Sequence, residues 1–282
     1  QAIQMVLDAL TNKKSGVIAS LAEVGAVGHR VVQGAELFTK TTLVTDEVID
    51  EIENLKELAP VHNHGHALAL WACKKTMPNI PQVVVFDTAF HQTIPQKAFM
   101  YGFPYEDYEQ YHVRKYGFHG TSHRFVTAKL AEVMGKDLKD LKVVSCHLGN
   151  GSSITAVKGG ESIDTTMGFT PLDGVLMGTR CGAVDPSAVT YVAGKHGFHV
   201  ADMDNYMNKK SGMLGISGLS SDFRDITAAS EKGDARATLA KDMLVYDIKK
   251  DIGAFAAIMN GLDAVIFTGG IGENAPNCRE EV

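Results

Sequence analysis

Residues 143–157 read VVSCHLGNGSSITAV, and this stretch decides the fold of the chain. It predicts a strand, a tight glycine-containing turn and a second strand, because apolar and β-branched residues flank the turn on both sides. The glycines let the backbone approach a ligand closely. Polar groups around the turn can donate to phosphate oxygens: His147, Asn150, Ser152 and Ser153. No GxxxxGK[ST] motif occurs, and a strand follows where a P-loop would have a helix. The stretch therefore predicts a phosphate-binding β-hairpin.

Composition limits the class of protein. The chain has 282 residues, 45% of them hydrophobic, which is enough for a large core and predicts two domains. A net charge of -6 argues against general nucleic-acid binding, because that function needs a broad basic surface. No apolar run approaches the length of a membrane span. Four widely spaced cysteines without a CxxC pair predict reduced thiols of a cytoplasmic protein and no zinc site.

Helical and strand patterns alternate along the chain. Predicted strands cover residues 26–32, 83–86, 143–147 and 264–268. Predicted helices cover residues 2–10, 46–58, 123–134 and 235–260. In the last helix the apolar stripe is assigned to Leu239, Met243, Tyr246, Ile252, Phe255 and Ile258. Mixed helices and strands of this kind predict an α/β architecture.

Three of the predicted strands end in polar turns, which begin at Asp87, His147 and Thr268. In open α/β sheets the ligand crevice lies at the carboxyl ends of the strands. A single such turn is commonly no more than a tight turn, whereas three in one chain favour a binding site.

Charged and polar residues next to these turns are the candidates for chemistry. Arg30 follows a strand-like segment, and Arg180 lies between two glycines that leave room for a bidentate anion clamp. Taken alone, each arginine is more often a surface or ion-pair residue than an anion ligand. His119 lies in a glycine-flanked segment that predicts an exposed loop, and His123 is compatible with a helix cap. Asp87 ends an apolar strand, where burying a carboxylate is costly unless it binds a cation or hydrogen-bond donors. The alternative is that Asp87 forms an Asx turn or a helix cap.

Together these groups fit phosphoryl transfer. That reaction needs donors and cations around the transferring group, and a carboxylate to manage Mg²⁺ or the acceptor. No Ser-His-Asp order, pair of thiolates or HExxH motif indicates a hydrolase.

The chain resembles the acetokinase family, within the superfamily of acetate and sugar kinases, Hsp70 and actin. The most specific matching motifs are residues 85–93 and 164–174. Further motifs follow the family's order at residues 27–32, 59–63, 116–123, 147–153, 178–185, 217–224 and 267–274. The resemblance implies two duplicated α/β domains of the ribonuclease-H type around a central cleft. Residues 1–88 would be the N-terminal domain, and residues 89–282 the nucleotide-binding and dimerisation domain.

The same resemblance implies an activity: reversible, Mg²⁺-dependent transfer of the ATP γ-phosphoryl to acetate, giving acetyl phosphate and ADP. It implies a cytoplasmic homodimer that binds neither nucleic acid nor membranes. Arg30 and Arg180 would bind the acetate carboxylate and stabilise the transferring phosphoryl, and His119 would stabilise the transition state. Asp87 would position the acceptor or manage the metal. The metal ligands themselves stay unknown, with at most an indirect part for Asp87.

The implied binding residues form two sets. The acetate methyl group and carboxylate would meet Arg30, Val32, Val61, His62, Phe118 and Pro171. ATP would meet His147, Leu148, Gly149, Asn150, Gly151, Asp222, Phe223, Arg224, Gly270, Ile271, Gly272, Glu273 and Asn274. Discrimination by one methylene is worth about 1–3 kcal/mol, so leakage to propionate is expected.

The chain departs from the family's usual pattern in two places. Residues 33–35 read Gln-Gly-Ala where the family usually has His-Gly-Gly, and residues 64–67 read His-Gly-His-Ala where a proline is usual. Both departures are expected to alter substrate preference or local packing. The N-terminal phosphate turn and the C-terminal metal-binding segment of the family are absent. The 282-residue chain is therefore expected to be inactive as written, and its parent protein active.

Three alternatives to this predicted activity stay open. One is a propionate or other short-chain acyl kinase of the same family. Another is a non-catalytic nucleotide-binding member of the superfamily, against which Arg30 and Arg180 together argue. The third is a pyrophosphate-dependent enzyme, against which residues 222–224 and 270–272 argue.

Overall fold

The computed structural model describes residues 2–59 and 62–282. The chain divides into two compact units, Gln1–Gln92 and Thr93–Val282. This division falls four residues after the boundary expected between residues 88 and 89. Across the described part of the chain, no helix has both the length and the apolarity needed to cross a bilayer.

The first unit is built on a three-stranded sheet. Its elements are α1 (Ala2–Leu10), β1 (Val27–Val31), β2 (Thr42–Leu43), α2 (Asp46–Asn54), α3 (Asn63–Thr76) and β3 (Gln82–Phe86), with 3-10 turns at Leu21–Glu23, Leu55–Glu57 and Ala89–Thr93. The strand order is β1-β3-β2, and β1 runs parallel to β3. Val31 lies opposite Phe86, so both strands end at the same edge. Their apolar side chains pack with Ile49, Ile52 and Leu70 of the two helices.

The second unit is larger. Its helices are α4 (Gln96–Phe99), α5 (Tyr105–Tyr111), α6 (Gly120–Met134), α7 (Pro186–His196), α8 (Val200–Lys209), α9 (Gly212–Ser217), α10 (Phe223–Glu231), α11 (Ala235–Met259), α12 (Gly269–Asn274) and α13 (Pro276–Glu281). Its strands are β4 (Lys142–Leu148), β5 (Ser152–Lys158), β6 (Glu161–Thr165) and β7 (Ala264–Thr268), and a 3-10 turn covers Leu138–Asp140.

The predicted β-hairpin is the centre of this unit. β4 and β5 pair antiparallel, and Leu148 lies opposite Ser152 across the three-residue turn. The sheet order is β6-β5-β4-β7, with β7 parallel to β4. Every residue of β5 except Lys158 is buried, so this strand lies in the interior of the unit. The hairpin is thereby confirmed, as is the α/β class.

The long helix α11 covers the core of this sheet. It begins where the Asp234 carboxylate accepts from the backbone N–H groups of Arg236 and Ala237, and it ends at Asn260 in the left-handed conformation. The predicted helix is confirmed, but the predicted stripe is only half right, because Phe255 is buried and Met243 and Ile252 pack against the core while the other three residues do not. The buried face consists of Ala237, Ala240, Leu244, Val245, Ile248, Phe255 and Met259. Leu239, Tyr246 and Ile258 are exposed. The buried face therefore includes two alanines, Ala237 and Ala240, that the predicted stripe left out.

Three local expectations are also corrected. The segment after β7 is the short helix α12 and not a turn. The segment before α6 is not an exposed loop, since Phe118 is buried and His119 is half-buried. His123 does not cap a helix, because it lies inside the first turns of α6 and is fully buried.

Candidate active site

Two neighbouring strands of the second unit end beside each other and open a cleft. β4 and β7 are parallel, and His147 lies opposite Thr268, so the segments that follow them emerge at one edge of the sheet. A cleft of about 750 Å³ lies at this edge. Its lining residues are Gly149, Asn150, Ser221, Asp222, Phe223, Arg224, Gly270, Ile271, Asn274 and Ala275. Eight of these ten belong to the predicted ATP set, and three segments far apart in sequence converge at this cleft.

The other predicted ATP residues lie beside or beneath this cleft. His147 and Gly151 flank its turn, and the side chain of Leu148 is fully buried in the core. Gly272 is buried, and the Glu273 carboxylate accepts from the Thr268 hydroxyl at 3.2 Å. Only backbone groups of Leu148 and Gly272 can therefore meet a ligand.

Sequence reasoning missed two lining residues, Ser221 and Ala275. Ser221 directly precedes Asp222 in a motif that was already singled out, so adjacency was the available signal. Ala275 carries no polar group, and nothing in its residue type indicates a site.

Asp222 and Arg224 form one side of the cleft. The Asp222 carboxylate accepts from the Arg224 backbone N–H at 2.9 Å, which caps α10, and it forms an ion pair with the Arg224 guanidinium at 2.6 Å. Hydrogen bonds from the Arg224 side chain and backbone lower the pKa of Asp222 to about 2. The cap and the pair fix the direction of both side chains at the rim.

Arg180 lies against residues 149–151, the turn that joins β4 and β5. A Cβ atom added to Gly151 would lie 3.1 Å from Arg180 Nη1. That nitrogen donates to the Pro171 carbonyl at 3.1 Å, and among the described residues no carboxylate pairs with the guanidinium. Burial lowers the pKa of Arg180. A half-buried cation without a neutralising acid attracts an anion, because its charge is poorly solvated.

The glycines around Arg180 are needed for close packing. A Cβ atom on Gly178 would lie 2.1 Å from Asn150 Oδ1, in the turn itself. Gly182 is left-handed, with φ +69°, and a Cβ atom there would lie 2.6 Å from the Gly174 and Val175 carbonyls. These glycines thus hold the arginine turn directly against the hairpin turn.

Histidines and serines of α6, β4 and β5 form a second polar cluster. His119 Nδ1 lies 2.8 Å from Ser153 Oγ, and His123 Nε2 lies 2.7 Å from the same oxygen. His123 Nδ1 lies 2.9 Å from Ser145 Oγ. The His147 ring stacks on His119 with centroids 4.1 Å apart, and its Nδ1 lies 2.8 Å from Ser122 Oγ.

The sequence contained a signal for this cluster that was not used. Ser145 and His147 alternate along β4, and Ser153 lies opposite His147, so all three share one face of the sheet. His119 and His123 are four residues apart at the start of α6, which places them on one side of that helix. Of this cluster, the sequence analysis named His119, His147 and Ser153 as candidates, and it did not predict that they meet.

In the first unit Arg30 and Asp87, each predicted as a site residue, lie at the carboxyl edge of β1 and β3. Arg30 Nε donates to Asp87 Oδ1 at 2.8 Å, and Arg30 Nη2 donates to Asp87 Oδ2 at 2.5 Å. The Asp87 side chain is 3% exposed, whereas that of Arg30 is 61% exposed. Hydrogen bonding to Asp87 raises the pKa of Arg30. The sequence predicted both residues but not this pairing.

The predicted acyl-binding residues fall in both units. Val32 is buried and His62 half-buried in the first unit, while Phe118 is buried and Pro171 half-buried in the second. Val61 lies outside the described residues. Their assignment to an acyl pocket stays a prediction.

The two sequence departures lie close to the Arg30–Asp87 pair. Ala35 adopts φ +49°, a conformation suited to glycine, and its backbone N–H donates to Gln33 Oε1 at 2.9 Å. The Gln33 Nε2 atom is buried and makes no hydrogen bond within the described structure. His66 stacks near His62, and burial lowers its pKa, with smaller contributions from His62 and Arg30.

A preformed metal cluster is not part of this site. Within residues 2–59 and 62–282 no three His, Cys, Asp or Glu side chains are grouped to hold an ion. Both oxygens of Asp87 are engaged by Arg30. The described side chains therefore do not fit a direct, all-protein Mg²⁺ site.

Comparisons with known proteins place the chain in a family. A model of the acetokinase family matches residues 1–282. Acetate kinase 2 of Clostridium perfringens is 56% identical over 274 residues, which are 97% of this chain and 69% of that protein.

Solved structures agree. The crystal structure of Porphyromonas gingivalis acetate kinase superimposes with a TM-score of 0.96 at 46% identity, covering 99% of this chain and 70% of that one. A propionate kinase from Francisella tularensis gives a TM-score of 0.93 at 42% identity, covering 99% and 71%. The predicted duplicated fold of the ribonuclease-H type is thus confirmed. The chain belongs to the acetokinase family.

Proposed function

We propose that the protein transfers a phosphoryl group reversibly between ATP and acetate, giving acetyl phosphate and ADP. The observation that carries this proposal is the 750 Å³ cleft at the ends of β4 and β7, with the cation of Arg180 against its hairpin turn. Family membership supports the same reaction, since relatives more than half identical carry the name acetate kinase.

The nucleotide would occupy the cleft with its phosphates toward residues 149–151. Their backbone groups and the Arg180 guanidinium provide donors for phosphate oxygens. The rim formed by Asp222 and Arg224, with Gly270 and Ile271 opposite, would take the nucleoside. Phe223 is largely buried, so its role is to support the rim.

Transfer to acetate needs little proton chemistry. Acetate is ionised at pH 7, so no general base has to activate it. The two arginines, Arg30 and Arg180, supply positive charge for the carboxylate and for the equatorial oxygens of the transferring group. His119 contributes a hydrogen-bond donor. The Asp87 carboxylate keeps the Arg30 guanidinium in one orientation, because their two hydrogen bonds form a planar fork.

Mg²⁺ is proposed as a cofactor on chemical grounds. When bound with ATP, it neutralises charge on the phosphates, and it usually keeps several waters in its coordination shell. The described side chains do not form a direct site for the ion, so this chain's residues would act on the phosphates and not on the metal.

The test is formation of acyl phosphate, trapped as the hydroxamate, from ATP and acetate, together with calorimetric titration of ATP. Arg180→Ala is expected to abolish transfer and weaken ATP binding, because the guanidinium is a donor to the transferring group. Arg236→Ala is a control, since Arg236 donates to the Ile216 carbonyl away from the cleft. Binding of ATP to the unaltered chain is expected whether or not transfer occurs, and absence of binding would contradict the proposed nucleotide cleft.

Propionate is the second candidate acceptor, because a propionate kinase is among the matching structures. The ratio of kcat/KM for acetate and propionate distinguishes the two. A value above one supports acetate as the preferred acceptor, and a value below one supports propionate.

Three further assignments belong to the same proposal. Residues 1–88 would act as the N-terminal domain, and residues 89–282 as the nucleotide-binding domain through which two chains dimerise. The enzyme would work in the cytoplasm. Light scattering of the purified chain measures its mass and tests the dimer.

A further inference from the structure

Two asparagines of the chain, Asn150 and Asn260, are directly followed by glycine. In such a pair the backbone nitrogen of the glycine can attack the side-chain amide carbon of the asparagine, because glycine has no Cβ to hinder the approach. Asparagine is therefore one of the residues that change chemically as a protein ages. Both asparagines are exposed, so the structure around each glycine nitrogen decides which of them reacts.

The pair Asn260 and Gly261, at the end of α11, is held by hydrogen bonds. The Gly261 N–H donates to the Ala256 carbonyl at 3.0 Å, and the Asn260 N–H donates to the Ala257 carbonyl at 3.1 Å. Lys142 Nζ donates to the Asn260 carbonyl at 2.7 Å. The nitrogen of Gly261 is thus occupied, and its attack requires the end of the helix to open first.

The pair Asn150 and Gly151, in the turn between β4 and β5, is held through other atoms. The Gly149 N–H donates to the Gly151 carbonyl at 3.1 Å, and the Gly178 N–H donates to the Asn150 carbonyl at 3.3 Å. Within the described part of the chain, the Gly151 N–H donates to no acceptor and the Asn150 side-chain amide makes no hydrogen bond. The nitrogen of Gly151 is therefore available for attack, and the exposed amide of Asn150 is open to water.

We propose that Asn150 is a deamidation site, at which a carboxylate replaces the amide in the turn that lines the nucleotide cleft. The Gly151 nitrogen loses its proton to solvent and forms a bond to Asn150 Cγ. The bond between Cγ and the amide nitrogen breaks, and ammonia leaves with a proton taken from solvent. Water then opens the succinimide ring at either carbonyl and gives aspartate or isoaspartate, with no oxidation or reduction.

The new carboxylate would lie where it weakens the binding of an anion. Asn150 lines the cleft, and a Cβ atom on the neighbouring Gly151 would lie 3.1 Å from Arg180 Nη1. A negative charge at this turn repels phosphate oxygens and competes with them for the Arg180 guanidinium. This consequence rests on the proposed function, whereas the modification itself rests on the geometry of the two asparagine–glycine pairs.

The first test follows the modification without an activity assay. The folded chain is kept in mildly alkaline buffer and digested at intervals. Mass spectrometry detects the replacement of an amide by an acid, and an isoaspartyl methyltransferase assay measures isoaspartate. The Asn150 peptide is expected to convert about ten times faster than the Asn260 peptide, or more, because Gly261 must first lose its hydrogen bond.

Unfolding provides the control for local sequence. In urea the two peptides should convert at similar rates, since neither glycine nitrogen is then held by the fold. Equal rates in the folded chain, faster conversion of Asn260, or the same ratio of rates in urea would each overturn the proposal.

The second test measures the effect on the cleft. Asn150→Asp carries one product of the reaction and is expected to raise the Kd for ATP about tenfold or more. Asn260→Asp is the matched control at the other asparagine–glycine pair and should bind ATP as the unaltered chain does. An unchanged Kd in Asn150→Asp would overturn the effect on the cleft. If that variant does not fold, the Kd of the unaltered chain before and after ageing makes the same comparison.

ATP itself separates this proposal from the proposed function. Saturating ATP should slow the conversion of Asn150 and leave that of Asn260 unchanged, because the phosphates would cover the turn. If ATP binds and slows neither reaction, the turn does not contact the nucleotide, and the effect on the cleft is overturned. If ATP does not bind to the unaltered chain, the proposed nucleotide cleft fails, while the rates in the folded and the unfolded chain still decide whether Asn150 is the modified site.

Discussion

The exposed guanidinium of Arg30 holds the buried carboxylate of Asp87 through two hydrogen bonds, of 2.8 and 2.5 Å. Arg30 lies near the end of β1, and Asp87 directly follows the parallel strand β3. The two residues are 57 positions apart in the chain. A cation whose far side is open to solvent can meet an anion while its near side stays fixed. The pairing thus makes Arg30 a rigid donor and explains why the apolar strand β3 ends in a carboxylate.

Removing Arg30 is expected to cost stability as well as activity. In Arg30→Ala the Asp87 carboxylate, 3% exposed in the unaltered chain, loses its charged partner, which should destabilise the fold by about 2–3 kcal/mol. Urea denaturation measures this loss. Lys74→Ala, which breaks an exposed ion pair with Asp46 in the same unit, should change stability little. Equal losses in the two variants would contradict a buried, fixed Asp87.

Gly178→Ala is expected to impair nucleotide binding before it impairs folding. The new Cβ atom would lie 2.1 Å from Asn150 Oδ1 and 2.9 Å from the Ser221 backbone carbonyl, so the Asn150 side chain and the Ser221 segment, both of which line the cleft, must shift. The Kd for ATP should rise about tenfold or more, as a calorimetric titration would show. Gly194→Ala in α7 is the matched control, because nothing lies within 4 Å of its added Cβ. That control should bind ATP normally and gain about 0.5–1 kcal/mol of stability.

Ala35→Gly is expected to stabilise the protein. Ala35 has φ +49°, which costs an alanine about 1 kcal/mol relative to glycine. The residue is only 8% exposed, and the loss of one buried methyl group works in the opposite direction. The free energy of unfolding, measured by urea denaturation, is therefore expected to rise by a few tenths to about 1 kcal/mol. A fall in stability would mean that the methyl packing outweighs the backbone strain.

His66 is expected to make the chain less stable in acid. Burial lowers its pKa below the ordinary 6.5, so the unfolded chain binds a proton more readily than the folded one. The free energy of unfolding therefore rises with pH in the range just below pH 6.5, and the contribution of His66 reaches its full value above that pH. In His66→Gln this slope should become shallower, as melting temperatures between pH 5 and 7.5 would show. His64→Gln, an exposed neighbour in α3, should leave the slope from His66 in place.

Sequence reasoning succeeded where short-range patterns carry the information. The hairpin around Gly149, the strand before Asp87 and the helix after Asp234 follow from alternation, turn residues and capping. Positions at strand ends also predicted that the segments after His147 and Thr268 would meet, whereas residues 222–224 were assigned to the same site from the family resemblance. The family resemblance supplied the roles, which the residues alone left open.

Other features depend on tertiary contacts that no local pattern contains. The bond between Ser153 and two histidines needs α6 to lie on one face of β4 and β5, which only the fold establishes. Half of the predicted stripe of α11 was wrong, and the buried face includes two alanines, Ala237 and Ala240, that the stripe left out. The pairing of Arg30 with Asp87 required the register of β1 and β3.

The parallel pairing of β4 with β7 has a consequence for biosynthesis. The hairpin turn is complete once residue 158 has been made, but its neighbouring wall, α12, follows a strand that begins at Ala264. Contacts so distant in sequence form slowly, because a long loop must close first. On the ribosome, the cleft at the ends of β4 and β7 cannot exist until more than a hundred further residues have been added. We therefore expect nucleotide capture to be among the last properties that a nascent chain acquires.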